Sequence, residues 1–253
     1  MRRISNFYGS IIGKKAVVAV TGLMMFGFLV LHVIGNLKGF LPPNSEGEPD
    51  IDVYAHFLTI MGEPLIPDMV VLWTVRIVLI AAIVLHVVTV IQLASHNRAA
   101  RPVGYKSHAH AAASLPARGM LVSGALILFF LIIHLLQFTT GTIAPTPIVY
   151  GCVYSNLYHA FQVWWILLFY IVAMSMVGLH VFHGVWSAFQ TLGIDNPDRN
   201  RWLRGLSTGA AAFLFLAFLS LPTWMYFDGN HFEEGSHPNT YSEQCAASDG
   251  KVN

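Results

Sequence analysis

Charge is what this sequence has least of. Only 11% of its 253 residues are Asp, Glu, Lys or Arg, while 55% are hydrophobic, a balance that excludes both an ordinary water-soluble globule and a disordered chain. No separate soluble domain fits. Its five long apolar runs contain no Asp or Glu at all. Ion and proton carriers commonly place carboxylates within the membrane, so a solute or metal transporter with structural histidines is the weaker reading. Cysteine is nearly absent as well: Cys152 and Cys245 show no C-x-x-C-H or cluster-binding spacing, which excludes covalently attached haem and iron–sulfur clusters held by this chain alone. The dense histidine clusters expected of membrane di-iron enzymes are missing too. Net charge is only +1, and no nucleic-acid partner is expected.

What is present is hydrophobic length. Runs of about 20 apolar residues cross ~30 Å of hydrocarbon, and the sequence predicts five such helices at about 16–37, 69–93, 120–138, 160–190 and 206–226. The fold class expected is an all-α membrane protein in a single domain, 1–253. Eleven of the fourteen basic residues (Arg2, Arg3, Lys14, Lys15, Arg98, Arg101, Lys106, Arg118, Arg199, Arg201 and Arg204) fall in alternate connections, and the opposite ones are acidic. The positive-inside rule therefore places the N-terminus inside and the C-terminus outside. Trp164, Trp165 and Trp224 fall at outer helix ends, and Trp186 and Trp202 near inner ones. The first apolar run exceeds a signal-peptide core and lacks a small-residue cleavage site, so no cleaved leader is expected. Both cysteines fall on the outer side, where disulfides persist, leaving a bridge between them open.

Four of these helices carry a histidine in the membrane: His32, His86, His134 and His180. A lone intramembrane histidine often only hydrogen-bonds a neighbouring helix. Four in four helices, alternating in depth, point to function. Counting from the helix ends at ~1.5 Å per residue, His32 and His134 share the outer half, and His86 and His180 share the inner half with His183. Opposed imidazoles in a bundle interior suit the axial positions of a haem iron, so two levels predict two b haems some 10–15 Å apart along the membrane normal. Gly27, Gly35, Gly178 and Gly184, with Ser175, are expected to leave room for the macrocycles. Arg76, the one cation well inside a span, is expected either to snorkel or to meet an outer haem propionate. The fifth helix holds no histidine; it is expected to cover the four-helix haem-binding bundle and to break near Pro222.

The segments G-L-M-M-F-G-F-L-V-L-H ending at His32, L-W-T-V-R-I-V-L-I-A-A-I-V-L-H ending at His86, A-R-P-V-G-Y at 100–105 and L-H-V-F-H-G-V-W-S-A-F-Q-T-L-G at 179–193 together resemble the single-chain, five-helix, dihaem cytochrome b subunit of succinate:quinone oxidoreductases, a family that includes quinol:fumarate reductases. The resemblance covers nearly the whole chain. It implies that His32 and His134 ligate the distal haem and His86 and His180 the proximal one. H-x-x-H-G offers two histidines on one helix; the resemblance favours His180, with His183 near a propionate or quinone, although depth alone slightly favours His183.

The resemblance further implies a bacterial cytoplasmic-membrane complex with a flavoprotein and an iron–sulfur subunit docked on the basic inner face. This chain would exchange electrons with a membrane quinone, menaquinone being the expected one. The outer connection 39–67 is the expected quinone-reactive region, with Glu63 as proton acceptor or as an ordinary surface carboxylate. The direction of the reaction and the oligomeric state stay open. A dihaem cytochrome b serving a hydrogenase or a formate dehydrogenase is the principal alternative.

Overall fold

The structure, a computed structural model, describes residues 7–100, 119–196 and 200–228. These residues are helical throughout their ordered elements, with no strand among them. Five helices are long and apolar enough to cross a membrane: α1 (Ile11–Leu37), α3 (Val70–Ala99), α4 (Met120–Phe138), α6 (Trp164–Thr191) and α7 (Asn200–Asp228). Two short helices, α2 (Asp50–Thr59) and α5 (Val153–Phe161), lie in the connections after α1 and α4.

The helices outrun their apolar stretches because polar residues at the ends still favour helix once capped. Ser10 accepts from the Gly13 amide at 2.9 Å and starts α1 five residues before the expected Ala16. At the other extreme, α3 continues past Leu93 through His96 and Arg98, where cations complement the helix C-terminus. Pro222 does not break α7, contrary to expectation. Its missing N–H removes the backbone bond to the Phe218 carbonyl, yet the helix continues through it to Asp228, with Ser220 and Thr223 bonding to carbonyls beside the gap (2.8 and 2.6 Å).

The packing order is α3 against α1, α1 against α6 and α6 against α4, with α7 lodged along α6 and α1. Residues from α1 (Val33), α6 (Ala173, Val177, Val181) and α7 (Ala211, Leu214, Phe218) fill the principal seam. Lipid is as apolar as these side chains, so close packing rather than water exclusion holds the seam together. Gly178 belongs to it: a Cβ there would meet Phe215 and the Ala211 carbonyl of α7.

The exterior is inverted relative to a water-soluble protein. Ile12, Leu31, Ile77, Ile80 and Leu216 are exposed, whereas the buried residues of α4 are Ser123 and Gln137, and those of α3 are Ala82 and Thr89.

One end of the bundle is closed. Ile51 of α2, Tyr154 and Phe161 of α5, Ile166 and Tyr170 of α6, and Leu221 and Met225 of α7 form a second apolar cluster. This cap end also holds the 3-10 turn that follows α1, where the Phe40 ring lies 5.2 Å from the Trp224 ring at a tilt of 54°. Gly35 serves the cap, since any Cβ would lie 2.9 Å from the Tyr54 ring of α2; the expected room for a macrocycle is not its use. Asp52 is buried here and accepts from the Tyr154 amide at 2.8 Å, capping α5. Burial pushes its carboxyl up to about 7 against the opposing pull of the Tyr154 and Val153 amides, and burial likewise pushes Tyr154 up to about 12. Cys152, just before α5, is buried and disulfide-bonded; Cys245 lies outside the described residues.

Candidate functional site

Three helices bring hydroxyls to histidines on other helices. Thr21 of α1 lies 3.0 Å from His86 Nδ1 of α3, Ser123 of α4 lies 3.1 Å from His180 Nδ1 of α6, and the Tyr170 hydroxyl of α6 lies 3.0 Å from His134 Nδ1 of α4. Each hydroxyl has a single proton, and each has a second partner that takes it. Thr21 donates to the Val17 carbonyl (2.7 Å), Ser123 to the Met120 carbonyl (3.2 Å) and Tyr170 to Gln137 Oε1 (3.1 Å). Their lone pairs are therefore open to an imidazole N–H. With Nδ1 donating to these oxygens, His86, His134 and His180 would keep the Nε2 lone pair, the form a metal ligand requires.

The cap-end pair faces itself across the bundle. The His32 and His134 rings are 6.1 Å apart between centroids and nearly perpendicular, at 84°. Two metal–nitrogen bonds of about 2 Å each, with half an imidazole ring at either end, come to roughly 6 Å. Aromatic rings line the place: Phe28 stacks on His32 at 5.4 Å, Phe218 of α7 stands 5.7 Å away, and Phe130 and Phe138 flank His134 at 5.6 Å each. The far-end pair, His86 and His180, lies within electrostatic reach across the bundle. A glycine stands beside each ring, Gly22 near His86 and Gly124 near His180; in both cases an added Cβ would come 3.4 Å from Cε1.

The depth pairing also follows from the helices themselves. On α1, Thr21 is level with His86 and His32 with His134; on α6, Tyr170 is level with His134 and His180 with His86. Ten or eleven residues separate the levels on each helix, about 15–16 Å. Among the described residues, no three His, Cys, Asp or Glu side chains gather as a cage for a bare ion; the histidines come in twos, the number of protein ligands a bis-imidazole haem takes.

The remaining predicted residues lie elsewhere. His183 turns towards Trp186 (6.3 Å, 89°) and its buried Nδ1 has no partner, while Trp186 donates to Asp195 at 3.3 Å and carries the Arg204 guanidinium 4.3 Å above its ring. Arg76 is half-buried on α3 with its guanidinium 5.1 Å from the Trp73 ring, a cation–π contact one turn away. Glu63 is exposed at the cap surface, where a hydrogen bond from its carboxyl to Asp68, and then the Asp68 charge, raise its pKa.

Sequence reasoning missed Thr21, Ser123, Tyr170, Gln137 and Phe218. Two of them carry a legible signal, since T-G precedes His32 and S-G precedes His134 at one shared spacing. Comparison with family models, curated proteins and solved structures finds no match for this chain.

Proposed function

We propose that this chain is the membrane-anchor cytochrome b subunit of a succinate:quinone oxidoreductase, with His32 and His134 holding one b haem near the cap end and His86 and His180 holding a second. The observation that supports the reading is the set of three intramembrane histidines whose Nδ1 atoms each lie within 3.1 Å of a hydroxyl on another helix, the arrangement that holds a metal-ligating imidazole with Nε2 turned to the metal. The residues fit such a group: the 6.1 Å separation at the cap-end pair accommodates one metal between two imidazoles, and its walls are aromatic. When bound, the haems supply one-electron redox chemistry between an iron–sulfur partner and quinone.

This chain's own contribution is orientation and insulation. Hydroxyl acceptors fix the imidazole tautomers, Phe28, Phe130, Phe138 and Phe218 exclude water, and Gln137 offers a buried amide N–H without a partner that suits an acceptor on the bound group. His183 serves the far-end aromatic and charged group and is not a ligand in this reading. A flavoprotein and an iron–sulfur subunit dock on the basic far end in a bacterial cytoplasmic membrane, and quinone, menaquinone by preference, exchanges at the cap end. There Glu63, whose Asp68 neighbour favours the protonated form, is the proton-exchange group.

The test is optical. The purified complex should show a reduced-minus-oxidised b-type spectrum, and a pyridine haemochrome assay should give two haems per chain. His180→Ala should lose one haem and His183→Ala neither. A colourless protein, or loss of haem only in His183→Ala, overturns the assignment.

A further inference from the structure

Residues 21–32 read T-G-L-M-M-F-G-F-L-V-L-H and residues 123–134 read S-G-A-L-I-L-F-F-L-I-I-H. In both, a hydroxyl residue and a glycine precede a histidine that lies eleven positions after the hydroxyl. Eleven residues make about three turns plus 20° and rise about 16 Å, so hydroxyl and histidine share one helix face at two different depths.

The two copies are used alike. Thr21 Oγ1 lies 3.0 Å from His86 Nδ1 of the next long helix, and Ser123 Oγ lies 3.1 Å from His180 Nδ1 of its next long helix. Each hydroxyl also lies within hydrogen-bond distance of a carbonyl of its own helix, which can take its proton and leave a lone pair for the imidazole. A Cβ added at Gly22 or at Gly124 would come equally close, 3.4 Å, to the Cε1 atoms of His86 and His180. The pairs α1–α3 and α4–α6 are thus two uses of one pattern, and the far-end histidines are held symmetrically. The cap-end histidines are not: His134 is held through Tyr170 and Gln137, and His32 meets only aromatic rings in the contacts described.

We propose that Thr21 and Ser123 are the paired positioning residues of the far-end haem, each fixing the tilt and tautomer of one axial imidazole and together lowering the potential of that iron relative to unanchored ligands. The inference rests on the dihaem reading above. An Nδ1–H that donates to an oxygen makes the imidazole a stronger electron donor, which favours the oxidised metal. Removing the acceptor raises the midpoint potential.

The experiment is an optical redox titration of the intact complex carrying Thr21→Val, Ser123→Ala or both, with the far-end component identified as the one lost in His86→Ala. Each single variant should raise the reduced-to-oxidised ratio of that component roughly threefold to tenfold at fixed ambient potential, tenfold being about 59 mV for one electron. The double variant should shift it further, the cap-end component should stay where it is, and two haems should remain bound. The hydroxyl-retaining Thr21→Ser and Ser123→Thr should titrate as wild type, which keeps the test decisive if Thr21→Val fails to assemble. An unmoved far-end potential with both haems present overturns the positioning role and leaves the dihaem reading intact, as does an equal shift of both components. A wild-type complex without haem overturns the dihaem reading itself.

Discussion

At the scale of single residues, the decisive chemistry is where one proton goes. Tyr170 bonds both His134 Nδ1 and Gln137 Oε1, so one phenol orders two helices and one imidazole. Tyr170→Phe would leave the His134 Nδ1–H and Gln137 Oε1 without partners in a buried site, each costing about 1–3 kcal/mol. The expected outcome is a roughly tenfold to hundredfold weaker retention of the cap-end haem, with the far-end haem unaffected. The wild-type rings, held at 84°, should give a strongly anisotropic low-spin ferric signal, because perpendicular imidazoles donate equally to two iron orbitals and keep them nearly degenerate. Electron paramagnetic resonance of Tyr170→Phe should show that anisotropy reduced in whatever cap-end haem remains.

At the scale of elements, the cap is a small unit whose stability depends on one buried carboxyl. Asp52 caps α5, yet burial raises its pKa to about 7, so the folded cap binds a proton more readily than the unfolded chain does. A raised carboxyl pKa means stability falls as pH climbs from the ordinary carboxylate range to about 7, and levels off above it, by up to a few kcal/mol. Asp52→Asn keeps an oxygen for the Tyr154 amide and removes the charge. Thermal melts of the complex in detergent should therefore find this variant more stable than wild type at pH 8 and nearly equal to it at pH 4. A wild-type melting temperature that rises with pH between 5 and 7 through this residue would contradict the sign.

Element boundaries show how much could be read from the chain. The span at Met120–Phe138 matches its expected limits, because a glycine precedes it and polar residues follow its run of apolar ones. Local rules make proline a breaker, yet α7 runs through Pro222 to Asp228, so packing against α6 and α1 outweighs the one lost backbone bond. The histidines were legible as buried polar residues at alternating depth. Their partners were not, because Thr, Ser and Tyr are unremarkable in membrane helices until a second helix brings an imidazole to them.

At the scale of the whole molecule, two histidine levels about 15–16 Å apart span half of a hydrocarbon layer of ~30 Å, and under the proposed dihaem reading each level carries a redox centre. If the basic far end faces a negative interior, as the charge asymmetry implies, an electron moving from the far-end level to the cap-end level travels towards the positive side, so the membrane potential assists it. Crossing half of the layer is worth about half of ~2.3 kcal/mol per 100 mV, roughly a sevenfold change in electron distribution. In proteoliposomes oriented with the basic end inside and poised at partial reduction, an inside-negative diffusion potential of that size should reduce the cap-end haem and oxidise the far-end haem. No redistribution would mean that the levels do not stack along the membrane normal.

The amino-acid sequence by itself determined the membrane class, the number of long helices and the presence of intramembrane histidines at two depths, because hydrophobic length, charge asymmetry and helical rise are local, additive quantities. Only the tertiary structure decided which hydroxyl meets which Nδ1, that His32 and His134 face each other at 6.1 Å, that His183 turns to Trp186, and that Gly35 makes room for Tyr54. Those pairings depend on the order in which helices pack and on their relative rotation. Both are set by contacts between residues far apart in the chain, and no single helix encodes them.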